Sequence, residues 1–160
     1  MATENITFKL ELFATMWDKP PVADILLNGT SHAKQEITGT EEVPQIIEFK
    51  VDLEEGQGYD LVVSRSNKTD SQTIVNEKGD ILKDQMLHIK KIHIDEIDIG
   101  SLIFEGVYKP EYPEPWATKS REKGLSLPET LKNSPIMGHN GTWTFKFSSP
   151  FYMWLLENLY

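Results

Sequence analysis

Alternation of apolar and polar residues with a period of two is the feature that most constrains the fold of this 160-residue chain. It is clearest in residues 5–13, 45–54 and 141–148, where every second side chain is apolar. A strand with this pattern has one face in the core and the other in water. Because a long helical period is missing, the sequence predicts an all-β fold, an antiparallel β-sandwich or jelly roll of about eight to ten strands.

Local signals indicate where these strands turn or change face. Asn28-Gly29 is the strongest two-residue hairpin signal. Between residues 87 and 99 the apolar phase changes at Lys90-Lys91 and changes back at Asp95-Glu96. One extra residue in a strand moves every later side chain to the other face of the sheet. Both doublets therefore predict β-bulges or corners between sheets.

The C-terminal segment 150–158 is apolar on both of its strand faces. We expect a central strand that is covered on both sides. The alternative is a terminal helix, because Pro150 also suits the first position of a helix. In either form the segment belongs to the core, and its removal is expected to unfold the domain.

Residues 108–141 interrupt the regular rhythm with five prolines. We expect a long proline-rich loop without strands of its own, and a short helix near residues 128–133. Connections of this length are uncommon in compact domains and are often functional. The alternative is a loop whose aromatic side chains only fasten it to the sandwich. The chain is expected to be one domain, residues 1–160, with this loop as an insertion.

Composition excludes several classes of function. The chain has no cysteine, which removes disulfides, zinc-thiolate sites and cysteine nucleophiles. Its net charge of −9 disfavours nucleic acid as a partner, because phosphate binding needs clustered Lys and Arg. No apolar run approaches the roughly 20 residues of a membrane span. The N-terminus lacks the pattern of a signal peptide, so we expect synthesis in a cytoplasm without cleavage.

Asp70, Asp80 and Asp84 are the candidate calcium ligands. Together with Asn67 and Asn76 they place five oxygen-bearing side chains in residues 67–84. Calcium takes six to eight oxygens from carboxylates, amides and backbone carbonyls. The alternative is ordinary turn chemistry, which favours Asp and Asn for their hydrogen bonds to the backbone. Calcium is therefore the ion that these residues are expected to bind if the site exists, and we expect no required cofactor.

Tyr112, Trp116 and His139 are the candidate carbohydrate-binding residues. The C–H faces of sugar rings lie against flat aromatic side chains, and neighbouring polar groups bind the hydroxyls. Trp143 could join this surface, but its phase matches that of the inward residues Phe145 and Phe147, so we expect it in the core. For Trp116 the alternative is packing within the loop.

Enzymatic signals are poor, and we expect no catalysis. The four histidines have no metal-ligand spacing in the sequence. The chain contains no nucleophile-elbow motif and no phosphate-binding glycine loop. Glu111 and Glu114 could be imagined as the carboxylate pair of a glycan hydrolase, but acidic residues between prolines are usually just solvated.

Residues 6–107 resemble small carbohydrate-binding-module-like β-sandwiches, notably the calcium-dependent xylan-binding type. The resemblance rests on the order of ILLNG, IIEFKVDLEEGQGYDLVVSRSNK and LKDQMLHIKKIHIDEIDI. It implies a sandwich fold, sugar binding and calcium, with Asp80 and Asp84 as the nearest matches to the calcium ligands of that family.

The second half of the chain is similar to small proteins of tailed phages, especially T4-like phages of marine cyanobacteria. The phrases YPEPWA, MGHNGTWTFKF and SPFYMWLLENL carry this resemblance. It implies a non-enzymatic virion structural protein, either a capsid decoration or an adhesion module of the tail or fibre. The expected partners are other virion proteins of the capsid or tail, within an oligomer or larger assembly, and a cell-surface glycan. The alternative is a free-standing, calcium-assisted carbohydrate-binding module.

Overall fold

The computed structural model describes residues 2–17, 19–68, 74–75, 77–78 and 81–159. Within these ranges the chain forms thirteen strands: β1 (Thr3–Thr15), β2 (Val22–Leu27), β3 (Thr30–Glu36), β4 (Gln45–Glu54), β5 (Gly58–Ser66), β6 (Ile74–Val75), β7 (Ile81–Lys83), β8 (Met86–Ile94), β9 (Ile97–Asp98), β10 (Val107–Pro110), β11 (Leu131–Lys132), β12 (Ile136–Met137) and β13 (Gly141–Ser148). The helices of the same ranges are a 3-10 helix (Gly100–Glu105), α1 (Trp116–Glu122) and α2 (Phe151–Leu159). Eight strands have four or more residues, in line with the expected number, and the other five are pairings of two or three residues.

Two antiparallel sheets carry most of the strands. The first has the order β12-β8-β1-β4, with β9 added beside β8, and the second has the order β11-β10-β13-β5-β2-β3. Strands β6 and β7 form a separate two-stranded sheet. The apolar faces of the two large sheets pack against each other, so the predicted all-β sandwich is confirmed.

The core follows directly from the alternation in the sequence. Strand β1 buries its even-numbered side chains from Ile6 to Leu12, and β13 buries its odd-numbered side chains from Trp143 to Phe147. The rings of Phe8 and Phe147 are 6.1 Å apart and join the two sheets through the middle of the sandwich. The outward side chains of both strands remain partly or fully accessible. Burial of one face of each sheet is the main stabilising term of such a fold.

The doublet at Lys90-Lys91 forms the predicted β-bulge. Glu11 of β1 pairs with Lys91, whereas the next residue, Leu12, pairs with Ile89. Lys90 is therefore the extra residue of β8, and the inward-facing phase shifts by one position across it. This bulge lets β8 keep apolar side chains in the core on both sides of the doublet.

The doublet at Asp95-Glu96 is a turn, so the predicted bulge or sheet corner was wrong there. Both residues have positive φ angles, 54° and 65°, and together they connect β8 to β9. Asn28 and Gly29, with φ angles of 47° and 85°, make the equivalent turn between β2 and β3, as predicted. Two successive residues with positive φ match the right-handed twist of a hairpin, and Asp tolerates this conformation better than most residues.

The C-terminal segment is the helix α2, and the expected central strand was wrong. Phe151 and Leu155 are buried, whereas Tyr152, Met153 and Leu156 are exposed. This burial repeats every three to four residues, as in a helix that packs through one face. The exposed apolar side chains gave the segment its two-sided apolar appearance in the sequence. Among the described residues, no helix is long and apolar enough to cross a membrane.

The insertion 108–141 contains strands of its own, contrary to expectation. Strand β10 pairs with β13 and β11 pairs with β10 in the six-stranded sheet, whereas β12 pairs with β8 in the five-stranded sheet. The segment thus contributes strands to both large sheets. The helix expected near residues 128–133 was also wrong, because β11 lies there and the helix α1 lies earlier. Pairings of two residues are too short to show a period.

Candidate functional site

The three candidate carbohydrate-binding residues lie together at the surface. The ring centroids of Tyr112 and His139 are 5.2 Å apart, those of Trp116 and His139 are 5.4 Å apart, and those of Tyr112 and Trp116 are 6.1 Å apart. Trp116 is 42% exposed, and the other two side chains are half-buried. We call these three residues the aromatic cluster. Trp143, by contrast, is fully buried in the core, as its phase predicted.

Three separate stretches of chain bring the aromatic cluster together. Tyr112 lies between β10 and α1, Trp116 is the first residue of α1, and His139 lies between β12 and β13. Tyr112 donates its hydroxyl hydrogen to the Pro128 carbonyl over 2.6 Å, which ties two parts of the insertion together. Ala117 is buried beside Trp116, so α1 packs on the domain through one face and leaves the indole outward. The cluster therefore depends on the insertion being folded.

Buried Tyr108 fixes the backbone of His139. The Tyr108 hydroxyl donates to the His139 carbonyl over 2.5 Å and accepts the His139 N–H over 2.8 Å. Burial raises the pKa of Tyr108 to about 12, so the hydroxyl keeps its proton at neutral pH. One side chain thus satisfies both backbone groups of His139 and fixes where its ring emerges.

Arg65 lies beneath the aromatic cluster as a fully buried cation. Its side chain is on the inward face of β5 and donates to Asn140 Oδ1 over 3.2 Å. It also donates to the Gln85 carbonyl over 2.8 Å and to Gln85 Oε1 over 2.6 Å. Burial lowers the pKa of Arg65 to about 10, which leaves it charged at pH 7. Neutral amide oxygens therefore hold this guanidinium, and Asn140 connects it to the loop of His139.

Burial is the main reason why the His139 ring is neutral at pH 7. Burial, followed by the positive charge of Lys68, lowers the pKa of His139 below its usual value. Arg65 acts in the same direction, whereas Asp84 opposes both. A neutral imidazole offers one donor and one acceptor nitrogen. The aromatic cluster thus has a polar group that can either donate a hydrogen bond to a hydroxyl or accept one from it.

The candidate calcium ligands are only partly described. Asp70 and Asp80 lie outside the described residues, as does Asn76. Asp84 accepts a hydrogen bond from the ammonium of Lys68 at 2.7 Å, with only 10% of the lysine side chain and 15% of the aspartate side chain exposed. Among the described residues, no group of three or more His, Asp or Glu is arranged to hold a metal ion. Because Asp84 already neutralises a cation, its arrangement does not fit a calcium ligand.

Glu114 belongs to the start of α1. Its carboxylate accepts the backbone N–H of Thr118 over 3.1 Å and also accepts the hydroxyl of that residue. Carboxylates near a helix N-terminus stabilise the unpaired N–H groups there. This contact gives Glu114 a local structural role that needs no partnership with Glu111.

Sequence reasoning missed the polar residues that support the aromatic cluster, namely Arg65, Lys68, Tyr108 and Asn140. For one of these four residues, Arg65, the sequence itself contains a signal. Arg65 continues the inward phase of Tyr59, Leu61 and Val63 on β5, so the alternation places a charge in the core. Such a residue needs buried partners and often marks a special site. The others are recognisable only from contacts between distant parts of the chain.

A groove of about 610 Å³ lies outside the aromatic cluster, and no member of the cluster lines it. Its lining mixes both signs of charge with two aromatic rings and consists of Asp60, Leu102, Glu105, Val107, Lys109, Thr144, Phe145, Lys146, Trp154 and Asn158. The rings of Phe145 and Trp154 are 5.5 Å apart and belong to the packing of α2 on β13. The groove is thus a concave surface separate from the cluster, and it supplies control positions for binding experiments.

No protein-family model and no curated protein matches this chain. Among solved structures it is similar to vCBM60, described in work on circular permutation between two families of calcium-dependent carbohydrate-binding modules. That likeness has 9% sequence identity and a TM-score of 0.54, and covers 88% of this chain and 89% of the other. The chain is also similar to vCBM60 in complex with galactobiose, with 10% identity, a TM-score of 0.53 and coverage of 87% and 96%.

These likenesses concern the fold. The expected carbohydrate-binding-module-like sandwich is confirmed, and it extends beyond residues 6–107 to most of the chain. Similarity at this level of identity does not transfer binding residues or ligands, because one fold serves many functions. Phage origin and a place on a virion stay predictions.

Proposed function

We propose that this chain is a non-enzymatic glycan-binding module whose sugar lies against the aromatic cluster of Tyr112, Trp116 and His139. The observation that carries the proposal is the convergence of these three rings on one partly exposed surface. A soluble domain would more commonly bury such rings. Exposed aromatic groups held in place by a polar network are typical of binding surfaces.

The chemistry of the aromatic cluster suits a sugar. The faces of Trp116 and Tyr112 carry partial negative charge and attract the polarised C–H groups of a sugar ring. Their ring planes differ by 33°, so they form a shallow, bent surface. Neutral His139 adds a donor and an acceptor beside them. Stacking and hydrogen bonding are thus available within one sugar-sized area.

The fold supports the same proposal independently. Of the two similar solved structures, one is described among calcium-dependent carbohydrate-binding modules and the other as a complex with galactobiose. These ligands belong to those proteins. Xylose- and galactose-based oligosaccharides are the first probes to use.

Trp116→Ala is expected to weaken glycan binding at least ~10-fold, equivalent to about 1.4 kcal/mol. The melting temperature should change by less than about 2 °C, because Trp116 is 42% exposed and alanine suits a helix. A glycan array screen followed by titration calorimetry on the best oligosaccharide measures the affinity. Lys146→Ala in the groove is the matched control and should bind normally.

Two outcomes would contradict this placement of the site. A large fall in melting temperature for Trp116→Ala would show that the indole packs the domain. Normal binding by Trp116→Ala together with loss of binding by Lys146→Ala would move the site to the groove.

We also propose that the module is carried on a phage particle, as a capsid decoration or an adhesion module of the tail or fibre. Tyr152, Met153 and Leu156 lie exposed on α2, inside the segment that resembles phage proteins. Neighbouring exposed apolar side chains on a soluble domain are typical of contacts with other proteins. In this arrangement α2 would contact the particle, and the aromatic cluster would bind the glycan.

Sedimentation of the native lysate is the direct measurement of the virion proposal. Quantitative mass spectrometry is expected to find the chain with particles, at a fixed ratio to a major capsid or tail protein. Recovery only in the soluble fraction would contradict a virion role and favour the alternative, a free-standing carbohydrate-binding module. The glycan experiments apply equally to a virion protein and to a free-standing module. Glycan binding and the virion role are therefore tested independently of each other.

A further inference from the structure

We infer that Asp84, one of the candidate calcium ligands, binds the ammonium group of Lys68 in place of a metal ion. The inference concerns Lys68, Asp84 and Gly138, which are all described residues. It does not rest on glycan binding.

The partners of Lys68 are those that a hard cation takes. Its Nζ donates to Asp84 Oδ1 over 2.7 Å and also to the Gly138 carbonyl oxygen. A carboxylate oxygen and a backbone carbonyl are typical calcium ligands, and here both point at one ammonium group. Little of either side chain is accessible to water, so this pair is weakly screened.

Lys68 is also fixed through its backbone. Its N–H donates to Asn140 Oδ1 over 3.0 Å, and its carbonyl accepts from Asn140 Nδ2 over 3.0 Å. The backbone of Lys68 thus forms a reciprocal pair with the side chain of Asn140. With the Gly138 contact, Lys68 holds the residues on both sides of His139. It therefore acts as a positioning residue for that ring.

A divalent ion at Asp84 would meet unfavourable charges. Asp84 Oδ1 accepts the Gln85 N–H over 2.8 Å in addition to the ammonium, so this oxygen already has two donors. Calcium at the same oxygen would lie within a few ångströms of Lys68 and would be repelled by it. Moving the lysine aside would strand a mostly buried ammonium without its carboxylate. The built-in cation thus provides, within the chain, the charge that calcium would otherwise supply.

Four proteins test this inference: the natural chain, Lys68→Met, Asp84→Asn and the double variant. Each is melted in EDTA and in millimolar calcium. In EDTA each single variant should melt lower than the natural chain, because it leaves its partner's charge unpaired. The double variant should melt no lower than the less stable single variant. The natural chain and Asp84→Asn should respond identically to calcium, since Asp84 is not a ligand.

Two results would overturn the inference. The first is a calcium-induced rise in melting temperature in the natural chain that Asp84→Asn abolishes. The second is strictly additive destabilisation in the double variant, which would show that the two side chains act independently. If Lys68→Met does not fold, Lys68→Arg replaces it and should retain most of the stability, while calcium titration of the natural chain still tests Asp84.

A glycan readout separates this inference from the proposed function. Because the Lys68 ammonium holds Gly138, the residue before His139, Lys68→Met is also expected to weaken glycan binding, whereas Lys68→Arg should restore it. If no glycan binds any of these proteins, the melting and calcium results still decide the role of Lys68. Failure of the Lys68 inference would likewise leave the Trp116→Ala experiment intact.

Discussion

Phe151→Ala is expected to lower the free energy of unfolding by about 3–5 kcal/mol, whereas Tyr152→Ala should change it by less than about 0.5 kcal/mol. The two aromatic residues are neighbours on α2 but point in different directions. Phe151 is 0% exposed and Tyr152 is 59% exposed. The large difference between them follows from the helix, because adjacent helical side chains point about 100° apart.

The surroundings of Phe151 explain the size of the effect. Its ring lies 5.6 Å from that of Phe147 on β13 in an edge-to-face arrangement, and 5.9 Å from that of Trp154. Its backbone N–H donates to Glu4 Oε2 over 3.0 Å, which fixes the start of α2 to β1. Truncation to alanine would leave a cavity between well-packed aromatic groups that cannot readily collapse.

Urea denaturation of the two variants and the natural chain measures this difference. For a domain of this size, 3–5 kcal/mol corresponds to a fall of about 6–20 °C in melting temperature. Equal effects of Phe151→Ala and Tyr152→Ala would contradict the one-sided packing of α2. Equally large losses from both variants would restore the doubly covered strand that the sequence first indicated.

The regular part of the fold could be read from the sequence because its information is local. Strands β1, β4 and β13 alternate for many residues, and each alternation alone determines which side chains enter the core. The turn at Asn28-Gly29 is likewise encoded by two adjacent residues. The bulge at Lys90 was visible because it shifts the phase of a long strand. These features need no knowledge of which strands pair.

The C-terminal helix could not be separated from a strand on the same evidence. Met153 and Leu156 are apolar but exposed, so the apolar pattern of residues 151–159 overstates how much is buried. A helix and a central strand then become alternatives that only tertiary packing decides. In the structure, β5 and β10 already flank β13, and residues 151–159 pack as a helix on aromatic side chains of β13.

The aromatic residues of the candidate site could be predicted from the sequence, but the polar network that supports them could not. Tyr112, Trp116 and His139 attracted attention as aromatic or polar residues in an unusual segment, and the structure brings them together. The network beneath them depends on contacts between residues far apart in the chain, such as Lys68 with Asn140. No local pattern encodes such a contact. The same limitation hides the ion pair of Asp84 from the sequence, because its lysine partner lies sixteen positions earlier.

Gly106→Ala is expected to destabilise the domain by about 1–3 kcal/mol, towards the upper end of the usual cost of overpacking. A Cβ atom on Gly106 would lie 2.2 Å from Cε2 and Nε1 of the Trp143 indole. Trp143 is fully buried and stacks on Phe145 at a centroid distance of 6.3 Å, so its ring has little room to move. The backbone of Gly106 is also fixed, because its N–H donates to the Ile103 carbonyl at the end of the 3-10 helix.

Gly58→Ala is the matched control for this steric argument. A Cβ atom on Gly58 would meet nothing within 4 Å, and the residue begins strand β5. Gly58→Ala should therefore be neutral or raise stability by up to about 1 kcal/mol, through the lower entropy of the unfolded chain.

Trp143→Phe provides the rescue of Gly106→Ala, since the smaller ring leaves space for the new methyl group. The Trp143→Phe and Gly106→Ala double variant should be more stable than the sum of the two single effects predicts, because the methyl group fills part of the cavity. Strict additivity in urea denaturation would show that Gly106 and Trp143 do not compete for the same space.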